Sequence, residues 1–520
     1  MLATRLGTDF FPTADVGIIK LHFRAPSGTR LEETERIVAD VEDEIRRIIP
    51  ASELRLINDN VGIPPSVNMA FVPSDNVGAM DAEILISLNS PHRPSIEYMR
   101  KMREQLPKAF PGNQFYFQNA DIVSQVLNFG ASSPIDIQIA DNSFARGYET
   151  AQRLLQEIQK IPGVADPHIQ QVLDYPTLQV NVDRLRAAKV GVTQRDVASN
   201  LLTSLAGSSL TSPSYFLNPQ NGVTYSVAVR EPIDSMSVVR DLMDVPVGRA
   251  ITDIAGTAQP NTPISAVPRA PGFHLGDIAS VNVRASAALL SHYTVQRVID
   301  VAANVDGRDL GGTAADIQKV IDTIKKDLPI TTHIDIRGQN QVMQTSFKSL
   351  SLGIILSIFL VYALLVVLFQ SWVDPFIIMM ALPGALIGIV WMLIATHTTI
   401  NVESLMGAIM SLGVATANSV LMVSFAREEM QRGADSVSAM LSAGSTRLRA
   451  VVMTAIAMVV GMVPMSLGFG EGGEQNAPLA RAVITYCLRI SSRKVFLVSM
   501  VITANAPATE AVTGKVICQR

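Results

Sequence analysis

Residues Gly413–Met430 read GVATANSVLMVSFAREEM, and they place one amide, Asn418, inside an otherwise apolar run, flanked by Gly413, Ala415, Ala417 and Ser419. A polar side chain near the middle of a bilayer-length helix is costly to face toward lipid. It turns toward other helices, either as an interhelical hydrogen bond or as part of a proton route. The next apolar run, TRLRAVVMTAIAMVVGMVPM, adds Arg447 and Thr454. Taken alone, Arg447 is a charge that stays on the cytoplasmic side, and Thr454 bonds to a carbonyl of its own helix. Gly407, Ser411, Ala415 and Ser419 recur every four residues, which makes a smooth stripe for close helix packing. Other chemistries have less support. The seven histidines are scattered without a ligand spacing, and both cysteines, Cys487 and Cys518, lie near the end of the chain. No dedicated metal site, cofactor or catalytic nucleophile is therefore expected, although soft methionine sites stay open. GFGEGGE at 468–474 follows an apolar helix rather than a strand, so it reads as a loop and not as a phosphate cradle.

These residues need a bilayer to sit in. The chain has 520 residues, 48% of them hydrophobic, with a net charge of −4 and no dense basic patch, which argues against nucleic acid as a partner. Residues 1–340 mix charges throughout, whereas 349–470 hold long uncharged blocks. Four runs, 349–370, 375–396, 404–426 and 450–470, are each about 20 residues, or about 30 Å as a helix, and match a hydrocarbon core. Pro464 predicts a kink in the last. The loop 427–449 carries Arg427, Arg432, Arg447 and Arg449, while the turn 371–374 and loop 397–403 carry no Lys or Arg. The positive-inside rule puts 427–449 in the cytoplasm and residues 1–340 on the exported side. MLATRLGTDFFP lacks the apolar stretch of a signal peptide. Beyond Arg481 the pattern fails, and Val495–Thr509 is too short to span.

The exported part is periodic. VGIIKLHF, a helix over Leu31–Ile49, ELRLIND, AEILISLN, a helix over Ser95–Phe110 and NQFYFQN give strand, helix, strand, strand, helix, strand. That order is a split βαβ, ferredoxin-like unit. PIDIQIAD, a helix over Ser143–Ile161 and VADPHIQQ form half of a second unit. VQRVIDVAANV, a helix over Thr313–Leu328 and THIDIRG form its other half. Between the halves lies an insertion with a strand TLQVNV, a helix Gln194–Leu205 and a hairpin around LNPQNG. Phe115 and Phe117 alternate on one strand, so they either fill the core or line a cleft between units.

Two such units, the second interrupted, followed by a helix bundle resemble the resistance–nodulation–division efflux permeases. The segments DFFPTADVGIIKLHFRAPSGTRLEETE, FQSWVDPF, GVATANSVLMVSFARE and TRLRAVVMTAIAMVVGMVPM are similar to their counterparts in that family's C-terminal half, over residues of about 8 to 481. The resemblance implies an α+β fold: a porter module at 8–130, a second at 131–173 and 291–340, a docking insertion at 174–290, membrane helices at 341–481 with the last span missing, and an aberrant tail at 482–520. It implies a truncated half of a proton-driven, multidrug or small-molecule efflux permease, a secondary transporter and not an enzyme, in the bacterial inner membrane with residues 1–340 in the periplasm. The implied partners are an N-terminal permease half, two further copies in a homotrimer, a periplasmic adaptor and an outer-membrane channel.

The same resemblance places Asn418, Ala417, Arg447 and Thr454 beside a proton relay whose aspartates belong to the other half, since no Asp or Glu lies inside the four spans here. Ala417 stands where many drug pumps carry a lysine, and losing an ammonium beside a buried carboxylate raises that carboxylate's pKa. Phe115, Phe117, Ile63 and Pro64 are the implied cleft residues. The loop Asn60–Val67 (NVGIPPSV) has no aromatic residue where drug pumps carry a phenylalanine-rich loop, which weakens a broad aromatic drug pocket. The rival expectation is a non-transporting binding or assembly subunit, or an inactive gene product.

Overall fold

The computed structural model describes residues 6–12, 15–64, 74–120, 126, 131–210, 213–232, 236, 238–248, 272–379, 381–468 and 473–490. The chain divides into two compact units, Met1–Val172 with Leu289–Arg520, and Leu173–Ala288. Among the residues outside this description are Ser66 and Val67 of the aromatic-free loop, Phe469–Gly472 of the glycine-rich loop, and 491–520 of the tail.

In the larger unit the first module is β1 (Ile18–Arg24), α1 (Leu31–Ile48), β2 (Leu54–Val61), β3 (Asp81–Leu88), α2 (Ser95–Ala109) and β4 (Gln114–Gln118). Its sheet is antiparallel with the order β2-β3-β1-β4. Helix α1 forms because Thr34, Val38, Val41 and Ile45 recur at helical spacing and are buried, while its charges face outward. These meet Ile19, Leu21 and Phe23 of β1 and Ile84 and Ile86 of β3 in a core with no more than 1% exposure at any of them.

The second module opens with β5 (Ile135–Ala140), α3 (Phe144–Ile158) and β6 (Val164–Ile169). The smaller unit follows: β7 (Tyr175–Val182), α4 (Arg184–Lys189), α5 (Gln194–Ala206), β8 (Ser214–Leu217), β9 (Thr224–Val227), α6 (Val239–Met243), β10 (Pro246–Val247), β11 (Phe273–His274), α7 (Leu275–Ile278) and β12 (Ala279–Ser286). Its long strands β7 and β12 pair antiparallel, and β8 and β9 form the hairpin around LNPQNG. Its core gathers Val192, Val197, Leu242, Val247, Leu275 and Ile278. The second module then resumes with β13 (Ser291–Tyr293), β14 (Gln296–Val305), α8 (Leu310–Lys325) and β15 (His333–Gly338). β14 pairs with β5 on one side and with β6 and β13 on the other, and β15 pairs with β5. The order β15-β5-β14-β6 repeats that of the first module.

Gly338, at φ +74°, turns β15 directly into α9 (Gln339–Phe369). The remaining helices are α10 (Val373–Met379), α11 (Ala381–Ala395), α12 (Val402–Gln431), α13 (Ser436–Ser466) and α14 (Gly473–Ile490). Among the described residues three segments are long and apolar enough to cross a membrane: Gln339–Phe369, Val402–Gln431 and Arg449–Ser466. The expected span 375–396 is helical over the described residues on either side of Met380, as α10 and α11. Helix α14 runs nine residues past Arg481, through part of the expected aberrant tail. Its Ala480, Ala482, Val483 and Ile484 are buried, so the first turn beyond Arg481 is packed structure.

Candidate functional site

One face of the first sheet is apolar; the other is a buried polar layer. On β1, Lys20, His22 and Arg24 alternate with the core residues, yet they are only 7%, 0% and 6% exposed. The register sets Glu83 and Tyr116 directly opposite His22, Asp81 opposite Arg24, and Gln118 opposite Lys20, so all seven share one face. Ions in such a layer are stable only when paired. Lys20 Nζ lies 2.6 Å from Glu83, and Arg24 Nε donates to Asp81 Oδ1 at 2.7 Å. His22 Nε2 lies 3.4 Å from the same oxygen.

The layer is capped from two directions. The segment after the aromatic-free loop folds over it: Asn76 Nδ2 donates to the carbonyls of Asn60 and Gly62, and Val77 N donates to Asp81 Oδ2 at 2.7 Å. From the second module, His168 stacks on Tyr116 at 3.7 Å between ring centroids, and Tyr116 stacks on His22 at 4.4 Å. Burial pushes the Asp81 carboxyl up, but the His22 contact and the Arg24 charge outweigh it and hold the group below the usual carboxylate range. Burial drives His168 down to about 4, so its ring is neutral. Within the layer His22 Nδ1, Arg24 Nη2, Tyr116 OH and His168 Nε2 find no partner among the described residues. The result is a dry sandwich of imidazoles, a phenol and paired carboxylates with unused donors and acceptors. Sequence reasoning missed it because alternating Lys20, His22 and Arg24 read as an ordinary solvent face.

Beside this layer the modules are joined at the β4–β6 edge. Arg103 donates to both oxygens of Asp166 at 2.9 and 2.8 Å and to Asp306 at 3.0 Å. Arg100 also grips Asp306, whose carboxyl is lowered first by that hydrogen bond and then by Arg103. Asn304 Nδ2 donates to the Phe117 carbonyl at 2.6 Å. Phe117 itself is 3% exposed beneath the Arg103 guanidinium, and Phe115 packs against Phe23 and Phe110. Both rings make packing contacts here, which is one of the two alternatives left open by their alternation on the strand. Ile63 is 62% exposed, and Pro64 is buried.

In the helix region, Asn418 is half-buried on α12, Ala417 beside it is exposed, and Thr454 is exposed on α13. Thr454 Oγ1 donates to the carbonyls of its own turn, Ala450 at 3.3 Å and Val451 at 2.9 Å. Arg447 is half-buried with its guanidinium 4.8 Å over the Phe425 ring. Among the described residues no hydrogen bond joins Asn418, Arg447 and Thr454. The small-residue stripe lies against α14: a Cβ on Gly407 would meet the Leu479 carbonyl and the Ala482 Cβ, each at 2.8 Å. Ser411 and Ala415 are fully buried, and Ser419 is half-buried.

Other candidates are weaker. A half-open cavity of about 550 Å³ at the end of the second sheet is lined by Asp141, Arg297, Ile330 and His333 among others. Arg146 and Thr332 hold the Asp141 carboxyl at about 2, so it is already committed. No group of three metal-ligating side chains is assembled among the described residues.

Residues 1–490 match the AcrB/AcrD/AcrF family. The chain belongs to that family, the resistance–nodulation–division permeases. The cobalt-zinc-cadmium resistance protein CzcA of Cupriavidus metallidurans is 25% identical over 484 residues, 93% of this chain and 44% of that protein. The nickel-cobalt-cadmium resistance protein NccA of Alcaligenes xylosoxydans xylosoxydans is 26% identical over 491 residues, 93% of this chain and 43% of that protein. A solved heavy metal efflux pump, crystal form II, shares the fold with a TM-score of 0.74 at 23% identity, covering 97% of this chain and 47% of that one. The permease chain thus spans under half the length of the relatives it matches. The family match continues to residue 490, past the break expected at Arg481.

Proposed function

We propose that this permease exports divalent transition-metal cations from the periplasmic side of the bacterial inner membrane, driven by protons. The observation that carries the reading is the buried layer of His22, Asp81, Glu83 and His168. It is a charged, imidazole- and carboxylate-rich surface between two modules of a permease whose named relatives confer resistance to cobalt, zinc, cadmium and nickel. We read the two modules as ferredoxin-like porter domains and the smaller unit as the docking insertion. In the arrangement seen, Arg24 and Lys20 occupy the carboxylates. Separation of the modules would uncover Asp81 and Glu83, and a hard or borderline divalent cation would replace the ammonium and guanidinium as their counter-charge. This substrate class fits better than bulky drugs, because the described part of the loop at 60–64 offers no aromatic wall.

In this reading α12 lies beside the proton route, with Asn418 facing it and Ala417, Arg447 and Thr454 nearby. The proton-accepting carboxylates come from helices beyond these spans, and the working assembly is a trimer joined to an adaptor and an outer-membrane channel. The test is calorimetric titration of the purified chain with zinc or cobalt. The proposal expects saturable binding that weakens at least tenfold in the double variant Asp81→Asn, Glu83→Gln. Equal binding by that variant and the unaltered chain would refute this site.

A further inference from the structure

The short stretch Gly7–Phe10 touches three elements that lie hundreds of residues further along the chain. Along one edge it pairs with the chain just before α12. Ile400 N donates to the Gly7 carbonyl at 2.9 Å, Asp9 N to the Ile400 carbonyl at 3.0 Å, and Val402 N to the Phe10 carbonyl at 3.2 Å. Along the other edge it caps α8. Leu310 N donates to Asp9 Oδ1 at 2.7 Å, Gly311 N to the Thr8 carbonyl at 2.8 Å, and Thr8 N to Asp309 Oδ2 at 3.0 Å. Asp309 also accepts from Gly312 N at 2.7 Å. The amides left open at the start of α8 are thus filled by the strap and its partner acid. Phe10 is 4% exposed and enters the second module's core together with Met343 of α9 and Val402 of α12. There is no slack: a side chain at Gly7 would strike Asp309, and one at Gly311 would strike Thr8.

We propose that Gly7–Phe10 is a coupling strap that makes the outer end of α12 and the second porter module move as one body. Helix α12 carries Asn418 about 25 Å further along its axis, at 1.5 Å per residue from Asn401. The start of α12 is itself pinned, since Asn401 is fully buried and its Oδ1 accepts from Ser404 N at 2.8 Å. The second module has another direct link to the helices, where β15 passes without a loop into α9. A shift of α12 therefore reaches the second module through covalent and hydrogen-bonded paths of a few residues. The first module is tethered to the strap as well, through residues 11–17, which lead into β1 and where Asp15 accepts from Ser95 N at 2.7 Å, and it meets the second module at contacts such as Arg103 on Asp166. The direction of the drive rests on the proton-driven reading; the tie itself rests on the bonds described.

The test uses the full chain in lipid nanodiscs, with spin labels at exposed Lys319 of α8 and Met430 of α12 and distances read by pulsed electron resonance. The tie predicts one narrow distance distribution in the parent, retained in Asp9→Asn, whose Oδ1 still accepts from Leu310. It predicts a distribution at least twofold broader in the pair Asp9→Ala, Asp309→Ala. A pair as narrow as the parent overturns the strap. If the pair does not fold, hydrogen exchange in Asp9→Ala decides. The strap requires the amides of Leu310, Gly311 and Ile400 to lose protection together, at least tenfold, while Val298–Ala303 keep theirs; loss at Leu310 with Ile400 unchanged overturns it. These readouts need no transport, so a parent that keeps the tie but moves no protons refutes the functional reading alone.

Discussion

At the scale of single residues, two buried groups on the sheet faces have opposite leverage on stability. His168 titrates at about 4 in the folded chain and at about 6.5 unfolded. Between those values the unfolded chain binds the extra proton, so stability falls as pH drops from about 6.5 toward 4, by up to about 3 kcal/mol. His168→Gln removes this acid limb, which chemical denaturation at pH 5 and pH 7.5 would show as a reduced difference between the two. Asp136 is pushed up to about 7, first by burial and then by Asp300 across the strands. Here the folded chain binds the extra proton, so stability falls as pH rises from about 4 to 7. Asp136→Asn should therefore stabilise the protein at pH 8 and leave it little changed at pH 4. Asp81→Ala strands Arg24 without its buried counter-charge and should cost about 3–5 kcal/mol at pH 7. None of these three groups stood out in the sequence. Charged residues alternating along a strand are the normal mark of a wet face, and only the second module and the 74–77 segment make this one dry.

At the scale of elements, the strands and helices of both modules were legible because their apolar residues recur at clean periods of two and 3.6. The predicted helices Leu31–Ile49 and Ser95–Phe110 each end within one residue of the observed ones. Helix α14 was not legible. Pro478, Arg481 and Arg489 break its apolar pattern, yet Arg481 is accommodated by donating to the Ser466 carbonyl at 3.1 Å and to Thr398 Oγ1 at 2.7 Å. The stripe on α12 was visible as small residues, but its partner was not. The contact can be tested: Gly407→Leu drives a side chain into Leu479 and Ala482, and overpacking of this kind costs about 1–3 kcal/mol. Gly413→Ala, with nothing within 4 Å of its new Cβ, is the matched control and should leave thermal stability in detergent near the parent value.

At the scale of the whole molecule, membrane helices, twin sheet modules and an inserted unit together match one permease family from residue 1 to 490. The small residues and lone asparagine of α12, which looked anomalous in isolation, belong to a helix that packs closely on α14 and is pinned at its N-terminal end. The polar layer belongs to the same scale, because it exists only where two modules meet. Family membership was readable from local motifs. The site was not, because a β1 histidine becomes part of a site only when β6, some 140 residues later, brings His168 over Tyr116.

The central claim is that the polar layer handles metal cations moved against protons. The most direct measurement is clearance of cobalt or zinc from the periplasm of cells carrying the assembled permease with its adaptor and channel, with and without a protonophore, in the parent and in His22→Ala. The account predicts clearance that requires the proton gradient, collapses with the protonophore, and slows at least tenfold in His22→Ala. Clearance that ignores the gradient, or that His22→Ala leaves unchanged, would contradict it.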